Sequence, residues 1–155
     1  MESVGTEHAF GGAFVHRYTH SLDPKKRLTI PSEYREQVDD PKGFYVLPGI
    51  PERCLYLCPA SEFALRMRKM REHSLADPTA RAFARVLGSR SDLAKWDSAG
   101  RIRVKDELLE YAGLTDRVVL VGALDIIELW APEVWEASGA MEQDKLAEAI
   151  RKAGF

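Results

Sequence analysis

The amino-acid sequence predicts an α+β fold that is built from two related halves. Residues 22–30 return as residues 96–104, so a nine-residue motif occurs twice with an offset of 74 residues. Each copy contains a turn followed by an alternation of apolar and polar residues, which is typical of a β-strand with one buried face. A short helical segment follows each copy. An internal repeat of this kind indicates two similar structural units in one chain.

Both copies of the motif read apolar-Asp-x-x-x-Arg-apolar-x-apolar, with Asp23 and Arg27 in the first copy and Asp97 and Arg101 in the second. Two further pairs of segments match, namely residues 43–47 with 117–121 and residues 54–59 with 126–131. The offset falls from 74 to 72 between these two pairs. Length changes belong in the loops that connect elements, so the change of offset supports the alignment.

The two turns mark the start of each predicted hairpin. Asp23 begins the first turn, and Pro24 presets φ at the next position. Asp97 begins the second turn, in which Gly100 can supply a positive φ. The apolar residues after the turns alternate with polar ones and share one face of each strand, namely Leu28, Ile30, Ile102 and Val104. Each half is therefore expected to present its polar, basic residues at the hairpin tip and on the opposite face.

The remaining elements follow from periodicity and turn residues. Strands are expected over residues 14–21, 43–47, 54–59, 118–121 and 126–130. Helices are expected over residues 31–38, 61–74, 79–87, 106–112 and 132–152. Asp77-Pro78 separates two of these helices, because proline disfavours helix in the residue before it, and Gly113 is expected to cap another. The last helix carries four large apolar residues that can pack on the body or on a neighbouring subunit, namely Trp135, Met141, Leu146 and Ile150.

Composition places the chain among ordinary globular proteins. Its 155 residues suit one compact domain or two intimately joined halves. An apolar content of 45% and a charged content of 30% are usual for a protein that builds its own core. No apolar run approaches the roughly 20 residues that span a bilayer, and the first residues lack the basic and apolar regions of a secretory signal. We therefore expect a cytoplasmic protein with no membrane partner.

The two cysteines are four residues apart in a predicted strand. At about 3.3 Å per residue, the Cα atoms of Cys54 and Cys58 are roughly 13 Å apart, whereas a disulfide needs less than about 7 Å. The pair is therefore predicted to be reduced and partly buried rather than bridged or metal-bound. The same arithmetic separates His16 from His20, which cannot share a metal directly.

No sequence pattern predicts catalysis. The chain lacks a His-Glu-x-x-His pair, a glycine-rich phosphate loop and a Gly-x-Ser-x-Gly elbow. The four histidines are scattered, and Asp39-Asp40 is typical of a solvated loop rather than of a carboxylate pair. We therefore expect no enzyme activity, no catalytic residue, no metal and no cofactor.

The net charge is only −2, but the charge is unevenly distributed. Residues 64–105 contain eleven Lys or Arg and four Asp or Glu, whereas residues 106–155 contain four basic and eleven acidic residues. Such an asymmetry can mark a face that binds a polyanion. Charge alone favours the simpler interpretation, a set of solvated helix faces, and both interpretations stay open at this point.

The basic residues of the hairpins are candidates for contacts with DNA. Lys25, Lys26 and Arg27 form an exposed cluster at the tip of the first hairpin, and Arg101 and Arg103 lie on the polar face of the second. Arginine can form a bidentate contact with the major-groove edge of guanine, and lysine can neutralise phosphate. A two-stranded ribbon also fits the major groove.

Asp23 and Asp97 each precede an arginine by four residues. One interpretation is an ion pair that locks each hairpin tip. Another is that the aspartate caps backbone N–H groups of the turn, while the arginine points outward to a phosphate or a base edge. We expect both to hold in part, with the aspartates structuring the loops and Arg27 acting in binding.

A longer pattern surrounds the two motifs. Its first stretch reads Phe14-x-x-x-Tyr18-x-His20-Ser21-Leu22-Asp23-x-Lys25-x-Arg27-Leu28-x-Ile30-Pro31. Its later pieces are Arg85-Val86-Leu87-Gly88, Asp97-Ser98-Ala99-Gly100-Arg101, Ala112-Gly113-Leu114, Val119-Leu120-Val121-Gly122 and Glu128-Leu129-Trp130. Over about residues 14–137 this pattern resembles the bacterial MraZ family.

The resemblance implies a fold, a function and a set of partners. MraZ proteins contain two AbrB-like halves whose swapped β-hairpins form one pseudo-twofold β-barrel with flanking helices, and they assemble into ring-shaped homo-oligomers. They are transcription factors that bind G-rich direct repeats in double-stranded DNA upstream of the division and cell-wall gene cluster, including their own promoter, usually as repressors. They also associate with the nucleoid. Carried over by position, Arg27 is the leading DNA-contact residue with support from Lys25 and Lys26, and Asp97 and Arg101 are the second-copy equivalents of Asp23 and Arg27.

The chain departs from the family pattern at three places. His16 replaces a glycine near the start of the first strand. Lys26 replaces the glycine of the usual Asp-Ser-Lys-Gly-Arg turn, so either the turn has a different type or Lys26 adds a phosphate contact. A segment of about twelve residues precedes the region of resemblance.

The expected organisation is a flexible leader over residues 1–13, a first AbrB-like repeat over 14–63, a helical connector over 64–88, a second repeat over 89–136 and a C-terminal helix over 137–155. The leading hypothesis is a sequence-specific DNA-binding regulator that acts as an oligomer. The alternative is an AbrB-like protein-interaction or antitoxin-type module that sequesters a partner through the acidic C-terminal segment.

Overall fold

The structure is a computed structural model that describes residues 12–73, 76–138 and 141–155. Its strands are β1 Arg17–Ser21, β2 Arg27–Thr29, β3 Gly43–Pro48, β4 Leu55–Cys58, β5 Asp92–Lys95, β6 Arg101–Arg103, β7 Arg117–Gly122 and β8 Ile127–Trp130. Its helices are α1 Ser32–Arg35, α2 Ala60–Glu72, α3 Pro78–Arg90, α4 Asp106–Ala112, α5 Pro132–Ser138 and α6 Gln143–Ala153. The expected flexible leader lies outside the described residues, apart from its last two positions.

The predicted α+β class is confirmed. Six strands form one antiparallel sheet in the order β1-β7-β8-β4-β3-β5, and β2 pairs with β6 in a separate two-stranded ribbon. Strands β1 and β5 are the two edges of the larger sheet. Among the described residues no pairing between these edges closes the sheet, so the structure supports an antiparallel sheet rather than the closed barrel that the resemblance implies.

Each half of the chain gives its first strand to the other half. Strand β1 pairs with β7, with Thr19 opposite Val119, and β5 pairs with β3, with Leu93 opposite Tyr45. These two pairs are related by the offset of 74 residues that the sequence repeat shows. Strand β2 pairs with β6 and not with β1, and β5 does not pair with β6, so the predicted pairing of strands within each hairpin is wrong. The two halves exchange strands instead.

Two further strand pairs match a residue with its own repeat equivalent. In the ribbon, Leu28 lies opposite Ile102, and in the sheet Tyr56 lies opposite Glu128. The first pair has the offset of 74 and the second the offset of 72, so the change of offset inferred from the sequence is confirmed. Where a residue lies opposite its own repeat equivalent, the pseudo-twofold axis that relates the two halves passes between them. The axis therefore passes through the ribbon, between β2 and β6.

The ribbon is anchored by one apolar face. Leu28, Ile30, Ile102 and Val104 are fully buried and join the main core with residues of the large sheet. Burying each aliphatic side chain of this size contributes about 1.5–3 kcal/mol. Since strands alternate their side chains, the same burial forces the arginines of β2 and β6 onto the outer face of the ribbon.

The first strand is shorter than the sequence predicts, because it begins at Arg17 rather than at Phe14. His16 has a φ of 71°, which takes the backbone out of the extended conformation. The hydroxyl of Tyr34 lies 2.7 Å from the carbonyl oxygen of His16 and stabilises this bend. Phe14 therefore forms only an isolated bridge, with Leu124.

The predicted single helix over residues 132–152 is wrong. The structure has two helices there, α5 and α6. Glu142 precedes α6 with an extended ψ of 146°, which interrupts the i to i−4 hydrogen bonding of one continuous helix. Helix α5 packs on the sheet, where the rings of Trp135 and Trp130 are 5.7 Å apart, whereas α6 has no buried residue.

The other predicted strands and helices are present, with ends shifted by a few residues; the largest change is at 31–38, where only α1 is helical. Cys54 and Cys58 are free and fully buried, and burial raises the pKa of both thiols to about 12. The prediction that no disulfide joins them is confirmed, but their burial is complete rather than partial. In the described part of the chain, no helix combines the length and apolar character needed to cross a membrane.

Candidate nucleic-acid interface

The first hairpin turn is organised by the carboxylate of Asp23. Its Oδ1 accepts hydrogen bonds from the backbone N–H groups of Lys25 at 2.9 Å and Arg27 at 2.8 Å, and its Oδ2 accepts one from Arg27 Nε at 2.6 Å. The bond from the Arg27 backbone, followed by that from its side chain, lowers the pKa of Asp23. The two interpretations of the Asp–Arg spacing, an ion pair and a cap, therefore hold together.

The second turn repeats this arrangement. Asp97 Oδ1 accepts from the backbone N–H groups of Ala99 at 3.0 Å and Arg101 at 2.9 Å, and its Oδ2 accepts from Arg101 Nε at 3.0 Å. Hydrogen bonds from the backbone and side chain of Arg101 lower the pKa of Asp97. Both aspartates thus structure their loops, as the sequence predicts.

The backbone conformation is also the same in the two turns. The N–H of Lys26 donates to Asp23 O at 2.9 Å, and the N–H of Gly100 donates to Asp97 O at 2.9 Å. Lys26 has a φ of 62° and Gly100 a φ of 78°. The lysine therefore keeps the glycine turn, although a left-handed conformation costs a residue with a Cβ about 1–2 kcal/mol. A different turn type at Lys26 is excluded.

The outer face of the ribbon carries three arginines. Arg27 lies directly opposite Arg103, and Thr29 lies directly opposite Arg101. Like charges in directly opposite positions destabilise a pair of strands. An anion bound over this face would relieve that repulsion, so the arrangement favours a polyanion as ligand.

The three arginines differ in the number of carboxylates that they contact and in which of their nitrogens make the contact. Arg101 lies between two carboxylates, with Nη2 2.9 Å from Asp97 and Nη1 4.0 Å from Asp23. Arg103 Nη2 is 3.2 Å from Asp106. Arg27 contacts Asp23 through Nε. Its two terminal nitrogens, Nη1 and Nη2, take no part in this ion pair. Arg103 has the most exposed side chain of the three, at 47% against 30% for Arg27, whereas Arg27 keeps both terminal nitrogens outside its ion pair.

The tips of the two turns differ in charge. Lys25 and Lys26 are exposed at the first tip, where the second tip has Ala99 and Gly100. Gly100 is buried, and a Cβ at this position would lie 2.7 Å from Cζ of Arg35. The exposed ammonium groups that the sequence predicts are thus confined to the first turn.

Two further residues belong to the same surface although they were not in the predicted set. Thr29 alternates in phase with Arg27, and the carbonyl oxygen of Thr29 lies 2.7 Å from His20 Nδ1, which ties β1 to the ribbon. Lys105 follows β6 and lies 3.4 Å from Asp92. The alternation of side chains along each strand is the signal that identifies both positions. Across the described ranges, no group of three or more His, Cys, Asp or Glu residues could hold a metal ion.

The fold and this surface define a two-repeat α+β protein that presents a basic ribbon. A family model described as "MraZ protein, putative antitoxin-like" matches residues 13–86 and 91–152. The chain therefore belongs to the MraZ family. The break between the two matched segments falls at the end of α3, between the two repeats.

Curated relatives cover most of the chain. "Transcriptional regulator MraZ" of Corynebacterium urealyticum is 41% identical over 132 residues, which are 84% of this chain and 90% of the relative. The protein of the same name from Thermomicrobium roseum is 37% identical over 128 residues, 83% of this chain and 88% of the relative. That of Clostridium acetobutylicum is 32% identical over 144 residues, 92% of this chain and 99% of the relative. The family is thus one of transcription regulators.

Proposed function

We propose that the protein binds double-stranded DNA in a sequence-specific manner through the β2–β6 ribbon and the first turn. The observation that carries this proposal is the outer face of the ribbon, where Arg27 and Arg103 lie directly opposite each other next to two exposed lysines. In the bound state the Arg27 guanidinium contacts the major-groove edge of a guanine. Lys25 and Lys26 neutralise phosphates beside it.

The dimensions of the ribbon suit the major groove. Two strands about 4.8 Å apart fit a groove about 12 Å wide and 8.5 Å deep. The apolar face of the ribbon is fully buried, so the ribbon enters the groove as a rigid element. Asp23 also holds Arg27 Nε at 2.6 Å, which reduces the conformational entropy that the side chain loses on binding.

The second repeat has a supporting part in this proposal. Arg101 lies between Asp97 and Asp23 and orients the first turn from the neighbouring strand. Arg103 lies opposite Arg27 and contacts phosphate. Sequence is therefore read mainly by the first repeat, while the second repeat positions it.

The regulatory role follows the family resemblance. We infer that the protein acts on the division and cell-wall gene cluster, including its own promoter, as a repressor that associates with the nucleoid. It binds G-rich direct repeats as a ring-shaped homo-oligomer. Each ribbon binds modestly, and an array of ribbons engages several spaced repeats at a high effective concentration. The relatives named as transcriptional regulators support this role.

The proposal is tested by titrating a DNA duplex that carries spaced G-rich direct repeats against a scrambled duplex of the same length at near-physiological salt. We expect the protein to prefer the repeats and to lose that preference when their spacing is changed. Binding should also weaken as the salt concentration rises, because binding releases counterions from the DNA. Equal binding to both duplexes would leave only a basic surface and would refute sequence-specific binding.

A protein-interaction module is the second candidate function. The family description contains the term antitoxin-like, and helix α6 in the acidic C-terminal segment has no buried residue. A protein partner recovered in stoichiometric amounts by pulldown, together with no preference for the repeat duplex, would favour this function over the first.

A further inference from the structure

The two ends of the β2–β6 ribbon differ in the residue that lies at the left-handed position of the turn. At the first end this residue is Lys26, whose side chain is exposed. At the second end it is Gly100, where a Cβ would lie 2.7 Å from both Cζ and Nε of Arg35. The guanidinium of Arg35 therefore occupies the space into which a side chain at position 100 would extend.

Arg35 reaches the second turn from the first repeat. It is the last residue of α1, and its Nε donates to the carbonyl oxygen of Ile30 at 3.0 Å. The N–H of Ile30 donates to Gly100 O at 2.9 Å, and the matching bond at the first end runs from Val104 N–H to Lys26 O at 3.1 Å. The two ends of the ribbon are thus built alike, apart from the residue at the left-handed position.

The terminal nitrogens of Arg35 are available to a ligand. Within the part of the chain that the structure describes, Arg35 forms no ion pair with a carboxylate. Its Nη1 and Nη2 make no hydrogen bond to the described residues, and neither is one of the buried side-chain atoms there that lack a partner, so both are accessible to solvent. A guanidinium that is fixed through Nε and open at both terminal nitrogens suits a bidentate contact with phosphate.

The position that matches Arg35 in the second repeat is apolar. At the offset of 74 residues this position is Leu109, whose side chain is buried in the main core. Each left-handed position of the ribbon therefore has one cation beside it. At the first end the turn itself supplies the cation as Lys26, and at the second end the helix of the other repeat supplies it as Arg35.

We propose that Arg35 binds a DNA phosphate at the second end of the ribbon, as Lys26 does at the first. The pseudo-twofold axis passes between β2 and β6, so it relates the two ends to each other. Twofold symmetry in a protein is matched by the twofold relation between the two strands of its DNA site. The two cations therefore contact phosphates of opposite strands. The inference rests on the proposed DNA-binding function and adds to it the contact made at the second turn.

The spacing of the two ends suits a single major groove. Gly100 pairs with Ile30, which is four residues after Lys26, so the two ends are about 13 Å apart along the ribbon. The major groove is about 12 Å wide. Arg35 is already oriented by its bond to Ile30 and therefore loses less conformational entropy on binding than the exposed chain of Lys26.

Removing the charge of Arg35 tests the contact through the salt dependence of binding to the repeat duplex. We expect Arg35→Gln to lower the slope of log K against log salt by about 0.9 for each bound ribbon. Arg35→Lys should keep the slope but bind more weakly, because lysine cannot form the bidentate contact. The matched control, Arg90→Gln at the end of α3, should bind as wild type. If Arg35 only covered Gly100, Arg35→Gln would change the thermal midpoint and leave the slope unchanged.

A double variant tests whether the two cations contact separate phosphates. Lys26→Gly combined with Arg35→Gln should lower the slope by about 1.8 for each bound ribbon, the sum of two lost contacts. A folded Arg35→Gln variant with the wild-type slope would overturn the proposal. A double variant whose slope equals that of either single variant would also overturn it.

Wild-type protein provides a second test that does not depend on the folding of a variant. Phenylglyoxal modifies accessible arginines, and mass spectrometry measures the modified fraction at each position. We expect the repeat duplex to slow the modification of Arg35 severalfold and to leave that of Arg90 unchanged. Equal rates at Arg35 with and without the duplex, or an Arg35 that does not react in the free protein, would contradict the proposed contact.

The scrambled duplex separates a failure of this contact from a failure of the proposed function. If wild-type protein prefers the repeats and Arg35→Gln keeps the wild-type slope, the contact is wrong and sequence-specific binding stands. If wild-type protein binds both duplexes equally and Arg35→Gln lowers both slopes, the phosphate contact stands and sequence-specific binding is wrong. A wild-type protein that binds neither duplex would refute both.

Discussion

The two hairpin turns of this protein have the same hydrogen bonds and different surfaces. In each turn the aspartate accepts two backbone N–H groups and the Nε of the arginine four residues later. Both turns also place one residue in the left-handed region. At that position the first turn has Lys26 and the second has Gly100. The aspartate side chain, present in both, therefore maintains the turn even where glycine is absent.

The second turn has the residue that favours stability, whereas the first turn has residues that favour binding. The second turn has the residue that suits its backbone, and it is covered by Arg35. The first turn accepts conformational strain and in return exposes Lys26 beside Lys25. Residues with a strained backbone conformation occur preferentially at functional sites. The comparison thus points to the first turn as the principal DNA contact, and four experiments can break or sharpen it.

The largest effect on stability is expected at the centre of the ribbon, where equivalent residues of the two repeats lie opposite each other. Leu28 and Ile102 are opposite each other and fully buried, so truncating either to alanine should cost about 2–5 kcal/mol of unfolding free energy. Urea denaturation measures both variants. The two losses should be similar, because the residues occupy equivalent positions in one core. If one variant lost at least twice as much unfolding free energy as the other, the equivalence of the two halves would be contradicted.

The next effect should be unequal between the repeats. Arg27→Ala should abolish the preference for the repeat duplex, because each lost bidentate contact costs about 1–3 kcal/mol in every subunit. Arg101→Ala should lower affinity less, because this side chain is held between two aspartates. Fluorescence anisotropy with labelled duplexes measures both.

The exposed arginine at the end of α3 provides a control for this pair, and Arg90→Ala should bind as wild type. Circular dichroism should show all three arginine variants folded. Equal losses for Arg27→Ala and Arg101→Ala would remove the distinction between a reading repeat and a positioning repeat. An Arg27→Ala variant that is unfolded or fully active would refute the role of Arg27.

Exchanging lysine and glycine at the position with a positive φ should change the stability of the protein in opposite directions in the two turns. Lys26→Gly should stabilise the protein by no more than about 1 kcal/mol, because relief of strain is partly offset by the flexibility of glycine. It should also lower the dependence of log K on log salt by about 0.9, the value of one lost phosphate contact. Thermal unfolding and salt titrations of DNA binding measure the two effects.

Gly100→Lys should instead destabilise the protein by about 1–2 kcal/mol. The new side chain must adopt the left-handed conformation and displace the guanidinium of Arg35, because its Cβ would lie only 2.7 Å from Arg35 Cζ. A gain of stability in this variant, or unchanged salt dependence for Lys26→Gly, would contradict the explanation of the two turns.

The smallest effect concerns pH. The pKa values of Asp23 and Asp97 are lowered from their ordinary value of 3.8 by hydrogen bonds to the charged form. Their contribution to stability is therefore present above the ordinary pKa and is lost as pH falls through the lowered pKa values of the folded protein. Thermal midpoints of wild type and Asp23→Asn, measured from about pH 6 to about pH 2, should converge at the acidic end. Parallel curves would exclude Asp23 from this acid sensitivity.

The sequence predicts the local parts of the candidate site well. The spacing of Asp23 and Arg27 is enough to predict a capped turn, since the interacting groups are only four residues apart. Alternation places Leu28 inside and Arg27 outside for the same reason. The break at His16 has no such signal in the residue itself, because a histidine carries no preference strong enough to indicate a positive φ; only the glycine of the family pattern at this position indicates one. It depends instead on Tyr34, which is 18 residues away.

By itself, the sequence determined that two halves are related, where their turns lie and which residues are buried, because periodicity and turn chemistry act over a few neighbouring positions. The exchange of strands between the halves followed from the family resemblance and not from periodicity. Only the tertiary structure decided that Arg27 faces Arg103, that Arg101 lies between two aspartates, and that α6 has no buried residue. These relations join residues far apart in the chain, and they depend on how the strands pair and pack.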